Sequence, residues 1–333
     1  KKATLPRKIL VVTQFTASVA LIVSTVIIYR QIEKVQSRPS GYNPSHVVLV
    51  DMKDDLAKNY DVIKNEMLAT GMIESVTKSS SPVHSIWSNW NIDDFPGRQP
   101  NELISMASIA TSPDYFKTLQ TKIKAGRDFY NDGSLADTSN IIINEAAAKR
   151  MRLEQPIGQY ITMGNAKLQI VGVAENIIMS SPFETVGPAM FLFYPSWAST
   201  LMFRIKSTVS INDAMRKVTP VFNKYNPAFP FEYQFADEEY GKKVQFEKMV
   251  GKLASIFAIL TILISCLGLL GLSAYVAEQR TKEVGIRKVL GASVFNLWQM
   301  LSRDFVLLVL LSSVIAIPLA YYYMNEWLLK YTY

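Results

Sequence analysis

Hydrophobic positions along the chain form three long unbroken blocks and, between the first two, many short alternating ones. Residues 9–29, 253–277 and 305–325 carry no Asp, Glu, Lys or Arg. A helix of roughly 20 apolar residues crosses the hydrocarbon core of a bilayer, so each block is long enough to span it. A buried helix of a large soluble protein would account for one such block. Three, each flanked by basic residues, predict an integral membrane protein with three transmembrane helices, at 9–29, within 236–277 and at 305–328. The first block exceeds the apolar core of a secretory signal peptide, and no small-residue cleavage motif follows it. Pro318 predicts a kink in the third helix, its freed carbonyl satisfied by neighbouring helices. Gly268 and Gly271, with Ser265 and Ser273, predict a small-residue packing face, to which Cys266 adds a small side chain. Tyr321, Tyr322, Tyr323 and Trp327 read as an interfacial belt.

Residues 30–248 alternate on a shorter scale and are long enough for their own core, in two lobes. Residues 46–51 (HVVLVD) read as a buried strand. Leu56, Tyr60, Ile63 and Met67 recur at helical spacing, with Gly71 just past the end. Ser112-Pro113-Asp114 has the order of a helix start, Ser as the cap. Residues 140–143 predict a strand feeding a short helix capped by Asn144. Strands at 159–163 and 167–174 flank Gly164-Asn165 as a hairpin, and a further pair is expected at 190–194 and 201–206. Ser210 would cap a helix with Ile211, Met215, Val218 and Phe222 on its apolar face. Strands and helices interleave without a strict repeat, so the class is α+β. From Ala236 onward the pattern turns charged and then apolar, and predicts one continuous helical stalk over 236–277, about 60 Å long.

Charge changes the picture by its position. The chain has 333 residues and a net charge of +7, with 35 Lys and Arg against 28 Asp and Glu. Four of the positive charges are Lys1, Lys2, Arg7 and Lys8, in a flank at 1–8. Residues 278–304 add Arg280, Lys282, Arg287, Lys288 and Arg303 against Glu278, Glu283 and Asp304, and the rest is nearly neutral. A membrane-flanking basic balance argues for a membrane surface and against nucleic acid. The basic residues on the two sides of the spans are nearly tied, leaving a weak preference for residues 1–8 in the cytoplasm.

Chemistry is sparse. One cysteine excludes a disulfide framework. His46 and His84 are the only histidines and have no partner at metal-ligand spacing; with Asp51, Asp93 or Asp94 a metal site is improbable, and both read as solvated loop residues. No G-x-x-x-x-G-K-[S/T], H-E-x-x-H or G-x-S-x-G occurs. The expectation is a non-enzymatic protein without cofactor or metal. Trp87 and Trp90, with Ile86, Ile92 and Phe95, lie in the turn-rich stretch 79–100. Either these rings pack back onto the domain, the more ordinary reading, or they form a loop that grips a partner.

Residues 278–293 read EQRTKEVGIRKVLGAS. Glu283 and Arg287 form a favourable i,i+4 pair, Gly291 is a helix stop, and Ser293 caps a second helix bearing Val294, Leu297, Trp298 and Leu301. Two short helices are expected at the membrane surface, the first basic and the second amphipathic. That run, with PLAYYYMNEWL at 318–328, resembles the FtsX/MacB-type permeases of ABC transporters. The resemblance continues in PFEYQFADEEY (230–240), INEAAAKRM (143–151), SPDYFKTL (112–119), AGRDF (125–129) and QFTASVALIVSTVIIYRQI (14–32).

The resemblance implies one helix, a large extracytoplasmic α+β domain of the MacB periplasmic type at 30–248, and further helices in the bacterial inner membrane. The family pattern has a fourth helix, so residues 329–333 read as a truncated tail and the chain as the second permease unit of a larger protein. It also implies a separate cytoplasmic ATPase docking on the coupling loop 278–304. Arg280, Lys282, Glu283, Arg287 and Lys288 would supply polar contacts there, and Val284, Gly285, Ile286, Val289, Leu290 and Gly291 the apolar surface and turn. The function implied is mechanotransmission, in which ATP-driven motion of the partner moves the outside domain during efflux or lipoprotein and peptide handling. Pairing into a dimer or pseudo-dimer of permease units and an extracytoplasmic adaptor are also implied. The alternatives are a structural activator of a cell-wall hydrolase, bound near Trp87 and Trp90, and an extracytoplasmic sensor.

Overall fold

A computed structural model describes residues 4–53 and 55–329. Lys1 and Lys2 of the basic flank and residues 330–333 of the tail lie outside them. The chain begins with helix α1 (Thr4–Ser37) and strand β1 (Val47–Asp51), then α2 (Asp55–Lys58), α3 (Tyr60–Ala69) and β2 (Ile73–Ser79). β3 (Asn89–Ile92), β4 (Ile104–Thr111), α4 (Tyr115–Leu119), β5 (Ile123–Gly126), β6 (Asn140–Asn144) and α5 (Glu145–Arg150) follow. Next come β7 (Tyr160–Met163), β8 (Ala166–Ala174), β9 (Ala189–Phe193), β10 (Thr200–Ile205) and α6 (Ile211–Tyr225). The chain closes with β11 (Gln234–Phe235), α7 (Ala236–Lys242), α8 (Gln245–Gln279), α9 (Thr281–Val289) and α10 (Val294–Leu328). Two compact units result, one of α1 and α8–α10, the other of residues 38–244.

Among the described residues of the helical unit, three helices are long and apolar enough to cross a membrane: Ile9–Ser37, Gln245–Gln279 and Val294–Leu328. Hydroxyls tie them together. Ser18 Oγ on α1 lies 2.7 Å from Ser265 Oγ on α8, both buried, and Ser312 Oγ on α10 donates to Val12 O at 3.1 Å. In hydrocarbon such bonds have no water to compete with them. Gly268 lets Gln14 approach, since a Cβ there would lie 3.0 Å from Gln14 Oε1. Gly271 meets nothing within 4 Å, so the small-residue face contacts its neighbours only in part. Cys266 is exposed rather than packed. The three tyrosines of the expected belt are also exposed.

The other unit is built on one mixed sheet, in the order β11-β1-β10-β2-β4-β9-β6-β8-β5, with β3 on β4 and β7 on β8. β4/β9 and β6/β8 are parallel and the other pairings antiparallel. Ile141, Ile142 and Ile143 are wholly buried because β6 is central and covered on both faces. Two half-sheets meet at a single residue pair, Ser79↔Thr111. There hydroxyls replace ladder partners: Ser112 Oγ accepts from Lys78 N (2.9 Å), and Ser80 Oγ from Ala110 N (3.0 Å). Ile63, Phe203 and Val218 pack under α2, α3 and α6; Ile141, Ile161 and Met190 pack by α5; Tyr115, Phe116 and Phe191 fill the middle.

Local signals hold in several places. Asn144 caps α5, its Oδ1 accepting from Ala147 N at 2.8 Å. The hairpin turns at Gly164-Asn165, where Met163 faces Ala166. Elsewhere packing overrides them. The helix expected from Leu56 to Met67 is interrupted at Asn59. α4 starts at Tyr115, and Ser112 caps nothing because its hydroxyl is spent on Lys78 N and Thr77 Oγ1. Ser210 precedes α6 without a side-chain cap bond, and Ile211 is exposed, Ala214 and Val221 completing the buried face. The strands at β9 and β10 pair with β4 and β6 and with β1 and β2, not with each other.

Two helix boundaries differ from expectation. The stalk is not continuous over 236–277: Lys243 and Val244 form a turn between α7 and α8, closed by bonds from their N–H groups to Tyr240 O and Gly241 O. Val244 is buried and Lys243 Nζ donates to Met179 O (2.8 Å) and Ser180 O, so tertiary contacts hold the chain out of helix. Gly251, the weaker helix former, stays helical within α8 against Ile28 and Ile32. The first helix likewise does not stop at Tyr29 but runs to Ser37.

Candidate functional site

The segment joining α8 to α10 is a helical hairpin whose turns are closed by the chain itself. α8 ends at Gln279, and Arg280 makes the turn, its N–H donating to Val276 O (3.1 Å) and its O accepting from Val284 N (2.9 Å). Thr281 Oγ1 covers the last carbonyls of α8, bonding Ala277 O (3.1 Å) and Glu278 O (2.8 Å). α9 stops at Gly291, whose φ of +87° belongs to the left-handed region. Gly291 N bonds Lys288 O (3.2 Å) and Ala292 N bonds Arg287 O (3.0 Å), the two bonds of a Schellman motif. Ser293 then caps α10, accepting from Asn296 N at 3.2 Å. The second short helix expected here is instead the first part of the 35-residue α10. No Gly or Pro separates Val294 from Phe305, so nothing stops the helix before it enters the apolar block.

The residues named from sequence divide into two sets. Arg287 is tied into the hairpin: its Nη2 lies 2.8 Å from Glu283 Oε1, and its Nη1 donates to Met300 Sδ at 2.9 Å. Arg280 and Val284 are half-buried. Lys282, Gly285, Ile286 and Val289 recur at helical spacing on one face and are exposed, and Leu290 continues that face past the helix end. Val289 is 89% and Leu290 80% exposed. Lys288 and Gly291 are exposed beside them. Sequence reading overlooked Phe295, which is exposed and lies 6.1 Å, ring to ring, from Trp298. Its signal was the charge-free run VFNLWQML immediately after the turn.

Trp87 and Trp90 are only partly covered by the domain, at 58% and 42% exposed. Ile92 and Phe95 of the same stretch are buried. Trp90 stacks on Trp197 (6.4 Å between rings, 23°), which in turn meets Tyr194 at 4.5 Å. Trp197 and Tyr194 follow β9, and only the β4/β9 and β3/β4 pairings bring them to Trp90. Trp87 instead lines a separate cavity at the edge of β1. His84 is half-buried, not a solvated loop residue; its Nε2 is 4.0 Å from Glu239 Oε2, and burial pulls its pKa below the ordinary histidine value. Among the described residues no cluster of His, Cys, Asp and Glu is arranged to hold a metal ion.

Residues 10–221 match the family model for the MacB-like periplasmic core domain, and residues 255–330 match the FtsX-like permease C-terminal model. A probable syringafactin export ATP-binding/permease protein of Pseudomonas syringae pv. syringae is 23% identical over 238 residues, 67% of this chain and 36% of that protein. The macrolide export ATP-binding/permease protein MacB of Salmonella typhi is 20% identical over 236 residues, again 67% and 36%. The chain thus spans about a third of the length of the curated relatives it matches. Among solved structures, the periplasmic region of MacB from Actinobacillus actinomycetemcomitans is similar, with a TM-score of 0.44 and 14% identity over 62% of this chain and 95% of that one.

Proposed function

We propose, from the premise that this chain belongs to the MacB/FtsX-type family of ABC transporter permeases, that it transmits ATP-driven motion rather than hydrolysing ATP itself. A cytoplasmic ATPase docks on the α9 hairpin, and its movement passes through α8 and α1 to the domain at residues 38–244, which lies on the extracytoplasmic side of the bacterial inner membrane. Those curated relatives carry ATP-binding and permease parts in one name; here no nucleotide-binding loop occurs in the sequence, so the ATPase is a partner subunit or another part of a longer protein. The permease works as a dimer or pseudo-dimer, and an extracytoplasmic adaptor is a further partner.

One observation carries this reading: the apolar face Ile286, Val289 and Leu290 is exposed on a hairpin braced by its own turn bonds and by the Arg287 contacts. A rigid, apolar, exposed element is what a docking partner needs, since ordering costs are already met before binding. The three spans carry hydroxyls and Gln14 but no Asp, Glu, Lys or Arg in residues 9–29, 253–277 or 305–325 that would mark a polar path for cargo.

Charge placed on the exposed face tests it. Val289→Asp and Ile286→Asp alter side chains that are exposed on α9, so helix content stays unchanged. Co-purification of the ATPase and stimulation of its hydrolysis should both drop by at least tenfold. Retention of both would refute the docking assignment. Arg287→Glu serves as the contrast, because it breaks the hairpin as well as removing charge.

A further inference from the structure

The outer edge of β1 is only partly covered by the chain's own strands. β1 bonds to β10 through its even-numbered positions: His46 O accepts from Ile205 N (2.9 Å), and Met52 N donates to Ser199 O (2.7 Å). The alternation of a strand then turns the main-chain N–H and C=O of Leu49 and Asp51 to the opposite edge. β11 is two residues long, and its ladder ends at Leu49↔Gln234. One step on, Asp51 has no strand opposite it, because residues 231–233 leave the sheet.

A cavity of about 540 Å³ fills that gap, within the range of ligand pockets. Leu56, Phe222 and Phe231 line it from the side of the α2/α6 core. Thr200 lines it from the opposite face of the sheet, since it alternates with Leu201 of that core, and His84 and Trp87 line it too. Three buried polar atoms of lining residues have no hydrogen-bond partner among the described residues: Thr200 Oγ1, His84 Nδ1 and Asn226 Oδ1. Thr200 is only 1% exposed. Each of these atoms has less than 1 Å² of accessible area, so the hydrogen-bonding group that the cavity leaves open is the Asp51 main chain.

We propose that this cleft binds a short extended peptide segment of a partner protein, which pairs main chain to main chain with Asp51 and continues the sheet where β11 stops. An extended peptide presents alternate side chains to the two faces. The residue paired with Asp51 lies on the face of Thr200, His84 and Trp87 and carries a hydroxyl or amide; its two neighbours lie on the other face, meet Leu56, Phe222 and Phe231 and are apolar. A saccharide would use the rings and side-chain polar atoms but has no strand geometry to match the Asp51 edge. The site lies outside the α9 hairpin and does not depend on the ATPase reading.

The test uses the full chain in lipid nanodiscs free of glycoside detergent, presented with a random octapeptide display library and, in parallel, a glycan array. Enriched peptides should alternate apolar residues with Ser, Thr or Asn. Asp51→Pro removes one outward N–H while leaving the β10 ladder intact, as edge positions permit, and should weaken binding at least tenfold. Asp51→Ala, which keeps that N–H, should change it less than twofold. A scan of single N-methyl groups along the enriched peptide gives the same information without altering the protein, with losses expected at the paired residue and not at its neighbours. Failure to enrich any peptide overturns the proposal, as does binding of glycans alone. Peptides indifferent to both Asp51→Pro and N-methylation overturn it equally.

Discussion

Arg204 offers the sharpest energetic test of how the soluble unit is held. It lies on β10 at 2% exposure, with no carboxylate at salt-bridge distance among the described residues. Its guanidinium instead donates to three main-chain oxygens: Nε to Thr118 O (2.6 Å), Nη1 to Ser45 O (2.7 Å) and Nη2 to Asn43 O (2.6 Å). One side chain thereby ties β10 to the end of α4 and to the segment entering β1. Burial pulls its pKa below the usual arginine value, yet a guanidinium stays charged at any accessible pH. Replacing it by Met keeps length and apolar volume but strips all three acceptors of their donor. Thr118 is fully buried, so its carbonyl bears the whole penalty, about 2–3 kcal/mol. Asn43 and Ser45 are exposed, so water replaces most of what their carbonyls lose, roughly 1 kcal/mol together. Relief from desolvating the charge offsets about 1 kcal/mol of this. The net expectation for Arg204→Met is a loss of about 2–3 kcal/mol, read by urea unfolding of the full chain in micelles, followed by tryptophan fluorescence. Arg204→Lys should fall between, since one ammonium cannot reach three carbonyls in the geometry of a fork. A Met variant within 0.5 kcal/mol of the parent, or a Lys variant equal to it, would refute the reasoning.

Two further outcomes follow from buried polar groups. Burial, reinforced by Asp114 and Asp137, raises the Asp128 carboxyl to about 6. A folded-state pKa above the unfolded one means its contribution to stability is full below about pH 3.8 and is lost as pH rises through about 6. Asp128→Asn, which mimics the protonated form, should therefore stabilise the chain by about 1–2 kcal/mol at pH 7.5 and not at all at pH 4; a gain independent of pH in paired unfolding titrations would contradict this. Asn144, 1% exposed, accepts from Ala147 N and from Ala189 N (2.9 Å) and donates to Gly187 O (2.9 Å). Asn144→Ala should cost about 2–4 kcal/mol in the same assay, and Asn144→Asp less, because it keeps both acceptor bonds.

The α9 hairpin was legible from sequence because its determinants are local. The i,i+4 spacing of Glu283 and Arg287, a glycine at the stop and a serine at the next cap each act within a few residues. That Arg287 also bonds Met300 beyond the turn was not, since that depends on where Met300 lies relative to Arg287. The fate of the two tryptophans was beyond local reading for the same reason. Trp90 is stacked by a ring more than a hundred residues later, and Trp87 borders a cavity walled by four separate segments.

By itself the sequence determined that three helices are apolar and long enough to cross a membrane, the class of the domain between them and the family. Hydrocarbon thickness demands a fixed number of consecutive apolar residues, and strand and helix periods are written along the chain. Only the tertiary structure decided that Lys243 and Val244 interrupt the stalk, that Ser112 serves β2 instead of capping a helix, and that β1 keeps an uncovered edge at Asp51. Each of these rests on which main-chain groups find partners far away in sequence. Hydrogen bonds made across the fold outweigh local preferences worth a fraction of a kcal/mol per residue.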